Sequence, residues 1–298
     1  MLRQLSSLTA LLTVALATGT NAQQICNGRA EYCSLIYSNI SQVASHDSAF
    51  VGLLPTENQH LSVADQLGMG IRFLQGQTHV ENGALEMCHT TCFEEDAGST
   101  ADYLSNIKTF LDANPNEVVT VLLTNGDNVD PSLFDTALSQ ANLQSYLFVP
   151  STGSGVLPIG DWPTLSEIIS SGKRLIFFLD YGANTSRFPY ILDEFSYFWE
   201  TPFDTTDKNF PECTLDRGAP AAGKMYIMNH FLDVSIFGID VPDVALAGRT
   251  NAVSGDGSIG SQAALCESMY GFAPKGVLLD YVDMGDPMGA QLALNGLS

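Results

Sequence analysis

The chain has 298 residues, 45% hydrophobic and 15% charged, with 33 acidic against 12 basic side chains and a formal net charge of −21. That apolar share can build a sizeable core, and the length suits one large α/β domain. A surface this acidic repels phosphate polymers, which excludes nucleic acid as a partner, and it disfavours docking by charge on anionic bilayers.

In chain order, the basic start Met1-Leu2-Arg3, the apolar run 8–17 and the small residues Thr20-Asn21-Ala22 predict a secretory signal peptide over 1–22. The run is too short for a membrane span, which needs roughly 20 residues. Cleavage after Ala22 would leave a secreted, extracellular protein of residues 23–298 and net charge −22, because the removed piece carries Arg3 and no acid. The six cysteines all follow the cut, and an even number in an exported chain implies disulfides. Nearness along the chain favours Cys26–Cys33, Cys88–Cys92 and Cys213–Cys266, one of 15 connectivities. Asn39-Ile40-Ser41 and Asn184-Thr185-Ser186 are glycosylation sequons at Asn39 and Asn184.

Unbroken apolar runs predict strands buried on both faces, at 71–74, 84–87, 118–123, 175–179, 225–228 and 277–279. Between them, Ser99-Thr100 caps a helix carrying Tyr103, Leu104, Ile107, Phe110 and Leu111. Pro131 opens a second helix, Leu165, Ile168 and Ile169 mark a third that stops at Gly172, and 258–270 reads as a late one. The alternation points to an α/β barrel or a doubly wound sheet. It becomes irregular after Asp180, where 184–220 reads as a long aromatic-rich insertion. Within it, Phe195-Ser196-Tyr197-Phe198-Trp199 reads as packing against the barrel, with a lipid-facing rim as the alternative.

Polar residues cluster just after the apolar runs: His46, Asp47, His89, Asn125, Asp127, Asp180, His230 and Asp280. In parallel α/β folds ligands bind at the carboxyl ends of strands, so these are candidates for a site. Two histidines facing each other could serve as base and acid near neutral pH.

Ala44-Ser45-His46-Asp47-Ser48 resembles the His-Asp-Ser or His-Asn-Ser signature of phosphatidylinositol-specific phospholipase C catalytic domains. Gly70-Ile71-Arg72-Phe73-Leu74 is similar to their second-strand motif, and Leu85-Glu86-Met87-Cys88-His89 to the strand delivering their second histidine. Asn114-Pro115-Asn116-Glu117 resembles the entry to their fourth strand, and Val277-Leu278-Leu279-Asp280-Tyr281 their last strand. The cysteines and Thr124-Asn125-Gly126-Asp127 resemble a fungal secreted branch. The resemblance implies a single-domain, disulfide-stapled TIM-type β/α barrel, distorted in places, that cleaves a glycerophospho-head-group diester. It implies His46 as the base, held by Asp280, His89 as the acid, and Asp47 supporting the attacking or leaving oxygen. Gln75, Gln77, Asn125, Asp180 and His230 would then meet the substrate, a phospholipid or glycerophosphodiester, with transient membrane contact.

The pattern also departs from that family. Calcium-dependent members carry acids at the positions of Gln75 and Gln77, and bacterial members an arginine at that of Gln77. No cofactor is expected, and calcium, if bound, would have to use Asp47, Gln75, Gln77 and Asn125. Arg72 is expected to point away from the mouth, and Asp180 stands where bacterial members carry a basic inositol contact. The missing charge favours a second reading, a non-catalytic lipid- or carbohydrate-binding barrel; the retained His46, His89 and Asp280 favour the hydrolase. His79 and His60 have weaker claims.

Overall fold

A computed structural model describes residues 23–297, so the predicted signal peptide lies outside the described residues. The strands are β1 (Gln42–Ser45), β2 (Phe73–Glu81), β3 (Ala84–His89), β4 (Glu95–Ser99), β5 (Val119–Asn125), β6 (Leu175–Leu179), β7 (Ile191–Asp193), β8 (Phe198–Glu200), β9 (Met225–Asn229), β10 (Asp233–Ile236), β11 (Ile239–Pro242) and β12 (Gly276–Leu279). Eight of them pair in parallel in the order β7-β6-β5-β2-β1-β12-β9-β8. The sheet curls as a TIM-type barrel that stays open between β7 and β8. The helices are α1 (Val63–Met69), α2 (Thr100–Ala113), α3 (Ser132–Gln140), α4 (Leu165–Ser171), α5 (Glu194–Tyr197), α6 (Ala247–Thr250), α7 (Ile259–Tyr270) and α8 (Pro287–Leu294).

Side-chain alternation sorts the apolar residues into two cores. Val43, Leu74, Val121, Leu123, Phe177, Leu179, Tyr226 and Met228 share one cluster with Leu104, Ile107 and Leu111 of α2, on the helix side of the sheet. Ala44, Phe73, Leu122, Phe178, Leu192, Phe198, Ile227 and Leu278 form the other, inside the barrel. Trp162, Phe148 and Tyr197 pack with them, and Tyr37 sets its hydroxyl 2.8 Å from Thr120 Oγ1. Burying side chains of this size contributes about 1.5–3 kcal/mol each.

The helix caps follow the sequence. Ser99 accepts from Asp102 N to start α2, and Thr164 forms a capping box with Glu167 to start α4. Gly172 ends α4 at φ 73°, a conformation that costs glycine least. Three disulfides join Cys26–Cys33, Cys88–Cys92 and Cys213–Cys266. Both sequon asparagines are exposed.

The stretch 184–220 is not simply an insertion, because it carries β7 and β8. Three-residue strands give too short an alternation to register in the sequence. The aromatic run within it packs inward: Tyr197, Phe198 and Trp199 are buried, Trp199 against Tyr226 at 4.6 Å between rings. It forms no lipid-facing rim.

Candidate active site

Each inner strand carries a polar residue two places after its inner apolar residue. Ala44 is followed by His46, Phe73 by Gln75, Leu122 by Thr124, and Phe178 by Asp180. Leu192 is followed by Glu194, Phe198 by Glu200, Ile227 by Asn229, and Leu278 by Asp280. A period of two keeps them on the same side of the sheet, so a polar ring caps the apolar interior. All of them but Asp280 line a cavity of about 410 Å³ at the carboxyl ends of the strands, which Gln77, His89, Arg217, Phe231 and Asp233 also line.

His46 stands at one wall. Its Nδ1 lies 2.9 Å from Asp280 Oδ1, which also accepts from Asn58 Nδ2 at 3.0 Å. That bond directs Nε2 toward the cavity, 3.5 Å from Asp47 Oδ2. Phe231 stacks on the imidazole at 3.7 Å. Neighbours on one strand normally face opposite ways, yet His46 and Asp47 act together. Asp47 adopts a left-handed backbone at φ 43°, which breaks the alternation. Gln75 Oε1 accepts its N–H at 2.8 Å, and Ser48, beside it, bonds Tyr103 and the Gln75 carbonyl.

His89 arrives differently. Strand β2 runs on past the barrel rim and turns at Asn82-Gly83, and β3 returns antiparallel to it. His89 ends that strand, and the Cys88–Cys92 disulfide closes the loop that follows. Its Nε2 lies 3.3 Å from the same Asp47 Oδ2, to which Gln77 Nε2 donates at 2.9 Å. Two imidazoles and one amide therefore converge on one buried carboxylate oxygen.

Burial opposes charge on His46, but Asp47 and then Asp280 outweigh it and raise its pKa to about 9. Burial likewise opposes charge on His89, and its hydrogen bond to Asp47 wins, so its pKa also rises. Burial would raise Asp47; His46, then His89, hold it below the usual carboxylate range. Across the mouth, burial pushes Asp180 up to about 6, and burial followed by Asp280 takes Asp233 to about 7.

Two expected substrate contacts fall elsewhere. Asn125 has the opposite parity to Thr124; its side chain bonds the Val129 and Tyr181 carbonyls and accepts from Val129 N, outside the cavity lining. His230 is buried between Gln262 and the Thr250 carbonyl, and burial drives its pKa down to about 4. Asn229 and Phe231 line the cavity in its place. Of the weaker histidines, His79 pairs with Asp127 and His60 with Asp283. Arg72 bonds Glu117 and the Leu67 and Ile71 carbonyls, away from the mouth.

The amide set does not suit calcium. The Gln75 oxygen is taken by Asp47 N, the Gln77 oxygen by Thr90 N and the Asn125 oxygen by Val129 N. An ion that takes six to eight oxygen ligands would find in that set only the Asp47 carboxylate, with the Gln77 N–H already on it. No metal-holding cluster of three or more His, Cys, Asp or Glu occurs among the described residues.

Sequence reading missed Asn58, Glu194, Glu200, Arg217, Phe231 and Asp233. The two-residue parity would have pointed to Glu194 and Glu200. Arg217 lies far along the chain from any motif; an antiparallel bridge to Glu200 brings it in, and Gly218 beside it passes so close to the Phe198 carbonyl that a Cβ would sit 2.7 Å away.

An open parallel barrel with paired histidines at its mouth defines a class, and comparison with known proteins agrees. The PI-PLC X 1 family model matches residues 32–295, so the chain belongs to the phosphatidylinositol-specific phospholipase C X-domain family. PI-PLC X domain-containing protein 1 of Arthroderma benhamiae is 53% identical, over 96% of this chain and 95% of that one. An uncharacterized secreted protein of the same fungus is 44% identical, over 89% of this chain and 62% of its own. The phosphatidylinositol-specific phospholipase C of Listeria monocytogenes has a similar fold, with TM-score 0.56 and 15% identity over 89% of this chain and 94% of that one. The F249X mutant of the Staphylococcus aureus enzyme also reaches 0.56, at 14% identity over 88% and 94%.

Proposed function

We propose that the protein is a secreted phosphoric diester hydrolase of phospholipase C type, acting on a phospholipid or glycerophosphodiester. One observation carries the reading: the Nε2 atoms of His46 and His89 both face Asp47 Oδ2, with Asp280 behind the first ring. His46 Nε2 takes the proton of the attacking hydroxyl, which comes from the head group or from water. As its oxygen bonds phosphorus, the phosphorus–oxygen bond to glycerol breaks, and His89 Nε2 protonates the departing oxygen. Asp280 keeps the Nδ1 proton in place and favours the imidazolium that forms. His89 before the step, and His46 once it has taken the proton, also supply positive charge near the phosphate, where the chain has glutamines.

Three sources support contact with a lipid surface. Phe237 at the tip of the β10–β11 hairpin, Leu53 beyond His46 and Phe93 beyond His89 are 104%, 88% and 98% exposed. The hairpin and the His89 loop also contribute Asp240 and Thr90 to the cavity, so the apolar tips stand beside its mouth. Secretion is supported by the three disulfides and by the secreted relative.

Turnover of a diester panel by wild type, His46→Ala and His89→Ala tests the proposal. Each substitution should lower the rate by roughly 10²–10⁴-fold. No turnover by wild type on any diester would instead support a binding barrel.

A further inference from the structure

The wall of the cavity facing the histidines is acidic, and its charges are not balanced from within. In the sheet order, β1 and β2 hold His46 and the glutamines, while β6, β7 and β8 hold Asp180, Glu194 and Glu200 on the far side. Asp204, Asp233 and Asp240 also line the cavity, Asp204 and Asp233 within the field of His46, and among the described residues Arg217 is the one Lys or Arg of the lining. Arg217 is already spent: its Nε and Nη2 both donate to Glu200 Oε2, which also receives Asn229 Nδ2 at 3.0 Å.

Glu194 is left over. It is 1% exposed, it lines the cavity, and among the described residues no N–H or hydroxyl donates to either of its carboxyl oxygens. Its polar neighbour is the Glu200 carboxyl, with which it can share only a proton, so burial and then the charge and hydrogen bond of that carboxylate push its pKa well above the usual range. Asp180 Oδ2 is likewise buried without a partner, while Oδ1 accepts from Asn125 N and Tyr181 N. Buried carboxylates without a donor are costly, and a site retains them where a ligand completes them.

We infer that this wall recognises an ammonium group on the head group of the substrate, with Glu194 and Asp180 accepting its N–H hydrogens. The inference rests on the phosphodiesterase reading and narrows its substrate class. An ammonium offers donors and the opposite charge together, so it pairs with carboxylates more strongly than a hydroxyl does. Head groups bearing further phosphates meet like charge at the same wall and are excluded. A quaternary ammonium carries the charge without N–H donors, so it binds more weakly than a primary amine.

Calorimetric titration of the His89→Ala protein, in which turnover is slowed roughly 10²–10⁴-fold, reads binding ahead of hydrolysis. The probes are glycerophosphoethanolamine, glycerophosphocholine and glycerophosphoinositol, each in two buffers of different ionisation heat. Glycerophosphoethanolamine should bind about tenfold or more tighter than glycerophosphoinositol, with choline between them. Its binding should release protons, because an ammonium displaces the proton held at Glu194, and Glu194→Gln should abolish the release. Equal or tighter binding of the inositol compound, binding of none of the three, or no proton release from wild-type Glu194 would each overturn the inference. The ligand ranking stands without the Glu194→Gln protein, should that variant fail to fold. Turnover by the intact protein separates the two claims. Hydrolysis with the opposite preference sinks the ammonium site alone, and no hydrolysis of any diester sinks the phosphodiesterase while leaving the binding order intact.

Discussion

Asp47 and Asp280 hold His46 as an imidazolium up to about pH 9, so the neutral ring that the proposed mechanism needs is a minor form at neutral pH. His89, raised as well, must keep its proton in that mechanism. The two rings share Asp47 and titrate together, so the apparent values belong to the pair. The rate should therefore rise with pH as His46 loses its proton and fall as His89 does, giving a bell whose maximum lies above the free-imidazole value of 6.5. Asp280→Asn removes one of the charges holding the imidazolium. A kcat/KM profile should show its maximum displaced to lower pH. An unmoved maximum would show that Asp280 does not hold the proton of His46. His46, Asp47, His89 and Asp280 were legible in the sequence because they sit in short motifs. Asn125 and His230 were misplaced because position after an apolar run says nothing of which face a side chain takes.

The β10–β11 hairpin projects Val234, Ile236, Phe237 and Ile239 into solvent beside an acidic mouth. Phe237→Ser should weaken co-sedimentation with phosphatidylcholine vesicles and leave hydrolysis of a soluble diester unchanged, since the residue lies outside the cavity lining. Unchanged sedimentation would remove the hairpin from the lipid contact. Inside the barrel, Phe178 is fully buried among Leu122, Phe198 and Tyr197. Phe178→Ala should cost about 3–5 kcal/mol in denaturant unfolding. The helices were legible element by element, because caps such as Ser99 and Thr164 act locally. Strands β7 and β8 were not, since three residues carry no period and their pairing partners are distant in sequence.

Across the whole molecule, several buried groups bind protons differently when folded. Asp180 at about 6 and Asp233 at about 7 hold protons that their unfolded forms, near 3.8, release. The stability they contribute is full below 3.8 and is lost as pH rises through 6 and 7. The raised His46 adds stability that is full below 6.5 and lost as pH rises toward 9. His230 acts the other way, costing stability as pH falls from 6.5 to about 4. With a net charge of −21 repelling itself more as acids ionise, the first set prevails above 6.5. Thermal unfolding should therefore show a melting temperature that falls steadily from pH 6.5 to pH 9, and less steeply in added salt. A melting temperature that rises over this range would contradict the assignment of these groups.

The sequence by itself pointed through its motifs to the family and its barrel, favoured the cysteine pairs that the structure joins, and singled out His46, Asp47, His89 and Asp280. All of these rest on neighbours in the chain or on short motifs whose chemistry is local. Only the tertiary structure decided the acidic far wall, the arrival of Arg217 and the turning away of Asn125 and His230. Those depend on strand parity, on the open seam between β7 and β8 and on pairings between distant segments, which fix side-chain direction only once the sheet has curled.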